Sequence, residues 1–260
     1  MSSRFCSRFV LPVGVLLAFY LTLATSLPHS ATPKRTIVAP GTELRILPLG
    51  DSITYGWNGT NGTDGYRLGL SEDIAGSNWL FVGTQRSGIM NDNYNQGYPG
   101  YTISGIAGIA GPGLDMKPNV VLLHAGTNDL DRVPPSNEPY ADAPTRLGTL
   151  IDQVLKALPE SVVLVAQIIN AKDAATEARI KTYNAQVPAV VKQRADDGWK
   201  VAVVDFSSVT KDELIDGLHP TPVGYKHMGD IWFGGLQAVA KAGWITPPIG
   251  PDPSWAVKAA

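Results

Sequence analysis

The stretch LRILPLGDSITYGW, residues 44–57, begins as an apolar run and breaks abruptly at Gly50-Asp51-Ser52. A parallel strand covered on both faces reads as a short continuous apolar run, and the C-terminal ends of such strands are where α/β sheets place ligands and chemistry. Ser52 therefore stands where a nucleophile could stand. Asp-Ser pairs also cap helices and make turns, so the triplet by itself decides nothing.

Four more runs of the same kind follow: LFVG (80–83), NVVLLHAG (119–126), SVVLVAQII (161–169) and KVAVVDF (200–206). Five runs separated by helix-period segments predict an α/β domain on a parallel sheet. Leu147, Leu150, Ile151, Val154 and Leu158 form one helical stripe, and Ile180, Tyr183, Val187, Val190 and Val191 a second. Thr221-Pro222, a hydroxyl cap followed by proline at the first helical position, predicts the start of a last helix that runs through Trp232 and Leu236. Residues 84–118 are Gly-rich with little periodicity and read as functional loops, and the stretch after Trp244 reads as an irregular Pro-rich tail. The expected organisation is one domain over 42–245 and a tail over 246–260.

The formal charge of −2 over 260 residues offers no basic field, which excludes nucleic acid as an expected partner. Arg4 and Arg8 precede the apolar run FVLPVGVLLAFYLTLAT, and the small residues of SLPHSATP follow. That pattern predicts a secretory signal over 1–31, with a propeptide that could extend to residue 35 at the Lys34-Arg35 pair, and an extracellular mature chain. An uncleaved membrane anchor is the rival reading, opposed by Pro12 and Gly14. Cys6, the only cysteine, lies in the segment to be removed, so no disulfide is expected in the mature chain. Asn58 and Asn61 head two adjacent Asn-Gly-Thr sequons in a Gly-rich polar loop, predicting glycosylation.

The chemistry-bearing residues lie in separate segments. In DGLHP, Asp216 precedes His219 by three residues; a histidine base needs one nitrogen free and the other held by an acceptor, which Asp216 could be. His124 lies inside an apolar run and reads as a satisfied core histidine, while His227 reads as a packed or exposed position on the last helix, which leaves His219 as the better base. Asn128 follows the strand NVVLL in GTND, where an amide could donate to an oxyanion or simply make a turn. Gly100, in NQGYPGYTI, lets a backbone N–H approach a ligand. Together these segments supply a hydroxyl nucleophile, a backbone donor, an amide donor and an Asp-His pair, an inventory for acyl transfer.

In this order and spacing, GDSI, the GYPGYT glycine, GTND and DGLHP resemble the four signature blocks of the SGNH hydrolases, also called GDSL-like esterases. The resemblance implies a three-layer α/β/α sandwich, flavodoxin-like, with a five-stranded parallel sheet. It implies Ser52 as nucleophile, His219 as base then acid, and Asp216 as its orienter. The oxyanion hole it implies is made by the Ser52 and Gly100 N–H groups and the Asn128 side chain. No G-x-S-x-G elbow surrounds Ser52, which argues against the ordinary α/β-hydrolase fold.

Within the superfamily, RILPLGDSITYGW, FVGTQRSG, NQGYPGYTI and PNVVLLHAGTNDL are most similar to secreted acetylxylan esterases of carbohydrate esterase family three. The expectation is a monomeric serine esterase that deacetylates xylan or related polysaccharides, with no metal or cofactor and no stable membrane association once the signal is removed. Tyr55, Trp57 and Tyr101 are the aromatics expected to face the substrate, within a wider group that includes Tyr66, Tyr94 and Tyr98. Two rivals share the fold: a lipase or lysophospholipase-type enzyme with the same catalytic residues, and a carbohydrate-binding protein without catalysis.

Overall fold

A computed structural model describes residues 37–256. The expected signal and propeptide segments, Cys6 and the last four residues lie outside the described residues. The described residues form one compact unit.

In order, the elements are β1 (Leu44–Gly50), α1 (Ser52–Tyr55), α2 (Tyr66–Asp73), β2 (Trp79–Phe81), β3 (Gln85–Arg86), β4 (Tyr94–Gly97), α3 (Ile103–Asp115), β5 (Val120–His124), α4 (Thr127–Asp131), α5 (Ala143–Ala157), β6 (Val162–Ala166), α6 (Ala174–Asn184), α7 (Val187–Asp196), β7 (Val201–Val204) and α8 (Pro222–Lys241). The sheet runs β3-β4-β1-β5-β6-β7, with β2 also paired to β1. All five expected strands are present and parallel, and β2-β1-β5-β6-β7 is the flavodoxin-like order.

The five-stranded all-parallel sheet needs one correction. The sheet has seven strands, because two short ones share one edge: β2 pairs with Leu44–Ile46, β4 with Leu49 and Gly50, and β3 adds to β4 in antiparallel fashion. This edge explains how a proline sits within β1. The Leu44 N–H bonds Asn78 on the β2 side, and amides alternate in direction along a strand, so the Pro48 nitrogen faces the same side. It falls where β2 has ended and β4 has not begun, so no ladder bond is lost.

The register keeps like residues in line. Ile46, Val120 and Val162 are paired neighbours on the face covered by α2 and α8, where Tyr66, Leu70, Trp232 and Leu236 complete a core. Leu47, Val121 and Val163 lie on the opposite face with Ile106, Leu147, Ile151 and Val187 from α3, α5 and α7. The first predicted stripe is α5, while the second is divided between α6 and α7, with Pro188 in the first turn of α7.

Residues 84–118 are not all loop, as expected, but contain β3, β4 and the thirteen-residue α3. Glycine and Pro112 mask a helix whose buried positions, Ile103, Ile106, Ala110 and Leu114, keep helical spacing. The segment after Trp244 has no regular structure through Ala256, yet it lies against the domain. The buried Arg45 guanidinium donates to Ile249 O and Gly250 O and pairs with Asp252 at 2.7 Å, and Trp255 stacks on Tyr94. Among the described residues no helix is long and apolar enough to cross a membrane.

Candidate active site

β1 delivers Ser52 to the C-terminal edge of the sheet. Gly50 must be glycine there, since a Cβ would lie 2.4 Å from His124 O in the neighbouring strand. Asp51 then caps the four-residue α1, its Oδ1 accepting from Ile53 N–H at 2.9 Å, and leaves Ser52 in the first turn with 5% of its surface exposed. The helix-cap reading of the triplet is thus met by Asp51, and Ser52 is left at the C-terminal edge of the sheet.

The loop after Leu214 closes on itself: Leu214 and Pro220 form a β-bridge, and Ile215 N–H donates to His219 O at 2.8 Å. Within it, Asp216 Oδ1 accepts from the N–H groups of Leu218 at 3.0 Å and His219 at 2.8 Å, while Oδ2 contacts His219 Nδ1 at 2.7 Å. Partial burial works to raise the Asp216 pKa, but the bonds from the His219 N–H, the His219 ring and the Leu218 N–H outweigh it and hold the carboxyl below its usual value. An ionised Asp216 requires the proton on Nδ1, so Nε2 presents its lone pair to Ser52 Oγ at 2.9 Å.

Ser52, His219, Gly100 and Asn128 line one cavity of about 370 Å³, together with Trp57, Pro99, Asp131, Arg132 and Leu218. Gly100 takes φ +84°, a conformation that favours glycine and turns the chain at Pro99-Gly100. Asn128, in the first turn of α4, donates through Nδ2 to Tyr101 O at 2.9 Å, which fixes the amide beside the Gly100 turn. The second Nδ2 hydrogen has only a 3.5 Å contact with Asp51, weak enough to yield to a ligand oxygen. Asp129 holds the same region together: it accepts from Ile103 N–H and pairs with Arg146 at 3.0 Å, though burial still raises its pKa.

The structure brings Ser52, His219, Asp216, Gly100 and Asn128 together; the aromatics divide. Trp57 lines the cavity, its carbonyl held by Tyr225 OH at 2.7 Å. Tyr55 and Tyr101, expected to face substrate, are not among the residues lining it. Tyr55 packs beneath the sequon loop against Gly62, and Tyr101 leans on Tyr98. Tyr66 is fully buried, bonded to Thr54, and burial pushes its phenol well up. Asn61 is exposed and Asn58 half-buried, its Oδ1 accepting from Thr60 and Asn61 to fold the loop.

His124 departs from the satisfied core histidine expected. It is fully buried, and neither ring nitrogen has a partner among the described residues; burial lowers its pKa and keeps it neutral, with nearby Asp51 opposing. His227 bonds Glu213 at 3.0 Å and Ser208 at 3.2 Å, tying α8 to the segment that leads into the Asp216 loop. Arg67, unremarked in the sequence, is buried behind the loops and donates to Asn93 O, Thr63 O and Ser87 O. Burial lowers its pKa to about 10. Arg132 was also missed as a cavity residue, although its place four residues after Asn128, in TNDLDR, puts it at the end of the same short helix.

No group of acidic, histidine or cysteine side chains among the described residues is arranged to hold a metal ion. What converges is the Ser52 hydroxyl, the His219 ring held by the Asp216 carboxylate, and beside them the Gly100 turn and the Asn128 amide, a set of groups suited to acyl transfer.

Residues 49–227 match the GDSL-like lipase/acylhydrolase family. A multidomain esterase from Ruminococcus flavefaciens is 28% identical over 261 residues, covering 89% of this chain and 33% of that protein; the chain thus spans about a third of that relative's length. The structure of a family 3 carbohydrate esterase from Clostridium thermocellum superposes with a TM-score of 0.66 at 34% identity, covering 76% of this chain and all of that one. A family 3 carbohydrate esterase from Talaromyces cellulolyticus, 23% identical over 77% of this chain and 99% of its own, has a TM-score of 0.60 and shows the shared fold.

Proposed function

The chain belongs to the GDSL-like lipase/acylhydrolase family, and from that premise we propose that it is a secreted serine esterase removing acetyl groups from xylan or related acetylated plant polysaccharides. The observation that carries the reading is the continuous chain from Asp216 through His219 to Ser52, at 2.7 and 2.9 Å, opening into a cavity lined by Gly100 and Asn128. The carbohydrate side of the proposal rests on the likeness to the family 3 carbohydrate esterase, and on Trp57 in the cavity, since an indole face suits a sugar ring.

In this mechanism Ser52 Oγ attacks the acetyl carbonyl carbon while its proton passes to His219 Nε2. Asp216 stabilises the imidazolium through Nδ1–H. The carbonyl π electrons move to oxygen, which the Asn128 amide and the Ser52 and Gly100 N–H groups receive. Collapse breaks the bond to the sugar oxygen, which leaves with the proton from His219. Water then repeats the sequence on the acetyl-serine, releasing acetate and restoring Ser52.

The test is acetate release from acetylated xylan beside a series of simple acyl esters and a long-chain lipid ester. Acetate from xylan and a preference for short acyl groups support the proposal. Cleavage of the lipid ester without xylan deacetylation would transfer the enzyme to the lipolytic class, and xylan binding without hydrolysis of any ester would leave only a binding protein.

A further inference from the structure

Arg132 bounds two cavities. One is the catalytic cavity; the other, of about 220 Å³, lies on the far side of Asn128 and Arg132 and is lined by Thr102, Val133, Pro134 and Pro135. The charged groups there, Asp129 and Arg146, are paired with each other, and Glu138 stands at the end of the 132–138 segment. Asn128 lines both spaces, and what stands between the second, largely apolar one and the Gly100 turn is the Arg132 guanidinium. It lies at the surface, where Nη1 donates to Gly100 O at 3.0 Å and Nη2 lies so close that a Cβ on Gly100 would meet it at 3.0 Å.

An acyl ester seated with its carbonyl oxygen between Gly100 and Asn128 would have the acyl group beside this partition. An acetyl methyl fits the catalytic cavity without displacing it. A longer chain would have to push the guanidinium aside and break its bond to Gly100, or place methylenes in water. We propose that Arg132 is the specificity-determining residue for acyl length: a wall that restricts the enzyme to short acyl groups, behind which an apolar cavity able to take a longer chain already exists. The proposal rests on the esterase reading above.

The experiment compares kcat/KM for 4-nitrophenyl acetate and 4-nitrophenyl hexanoate in wild type, Arg132→Ala and Arg132→Met, with thermal melting as a check on folding. Alanine removes the whole wall, whereas methionine, which ends near the place of Nε, keeps the stem and loses the guanidinium with its bond to Gly100, so any general loss from a loosened turn is shared by both. Each methylene moved from water into an apolar cavity favours binding about fourfold. The hexanoate-to-acetate ratio should therefore rise by about tenfold or more in Arg132→Ala and by clearly less in Arg132→Met, whose stem still fills part of the opening. An unchanged ratio in Arg132→Ala, or an equal rise in both variants, overturns the proposal. So does a wild type that takes hexanoate as readily as acetate, a result independent of whether any variant folds. Wild type inactive on both esters would instead sink the esterase reading itself.

Discussion

Replacing Asp216 by asparagine should disable the base without disturbing the fold, and the geometry says why. Asp216 Oδ1 accepts two backbone N–H groups, from Leu218 and His219, and only an oxygen can occupy that position. The asparagine carbonyl must therefore take the place of Oδ1, which forces its NH2 group into the place of Oδ2, 2.7 Å from His219 Nδ1. Two donors cannot share that contact, so Nδ1 must become the acceptor and the ring proton must move to Nε2. Ser52 then faces an N–H where it needs a lone pair. Loss of the correct tautomer in such a triad costs about 10⁴-fold, or about 5 kcal/mol of transition-state stabilisation. The assay is steady-state hydrolysis of 4-nitrophenyl acetate, with KM expected to change little because Asp216 does not line the cavity. Thermal melting should stay within a few degrees of wild type. An Asp216→Asn enzyme within tenfold of the wild-type kcat would refute the reasoning.

Other expectations follow from the same geometry. Asn128→Ala should lower kcat by about 10²- to 10³-fold while the protein remains folded; wild-type kcat in that variant would remove Asn128 from the oxyanion hole. Arg67→Met keeps the apolar stem but strips the donors from three buried or half-buried loop carbonyls, which should cost about 3–5 kcal/mol and lower Tm by about 10 °C. A Tm within 2 °C or so of wild type would count against that network. Asp92 has its pKa raised to about 6, because burial outweighs its bonds from Phe81 and Tyr94 N–H and the nearby Arg67 and Arg86. The unfolded chain ionises first as pH rises from about 4, so stability should fall through that window and the penalty be complete above about 6. Measured against Asp92→Asn, which does not titrate, wild type should lose up to about 3 kcal/mol between pH 4 and 7; a pH-independent difference would show that Asp92 is not held protonated.

The parts legible in the sequence are those set by local pattern. Strands buried on both faces show as apolar runs, and all five were found where the runs stand. Ser52, Asn128 and His219 each belong to a short segment whose polar residues interrupt or follow a run, so they could be singled out one by one. Helix α3 was hidden because four glycines and Pro112 lower its intrinsic propensity, while tertiary packing of Ile106, Ala110 and Leu114 decides its state. The shared sheet edge was hidden for a related reason: β3 and β4 span two and four residues, too short to leave a period. Which aromatics face the cavity could not be read either, since Tyr55 and Trp57 are two residues apart and their directions are set by contacts with Gly62 and Tyr225, distant choices for a local pattern. Arg67 and Arg132 act through carbonyls brought near only by the fold, and nothing in their immediate neighbours announces that.

The central claim is that Ser52 becomes covalently acylated. The most direct measurement is rapid acid quench of the enzyme with 4-nitrophenyl acetate during the first turnover, followed by mass analysis of its proteolytic peptides. The account predicts one added acetyl group on the peptide containing Ser52, absent in Ser52→Ala and accumulating in step with a burst of nitrophenolate. Acetyl on another residue, or full hydrolysis by Ser52→Ala, would contradict it.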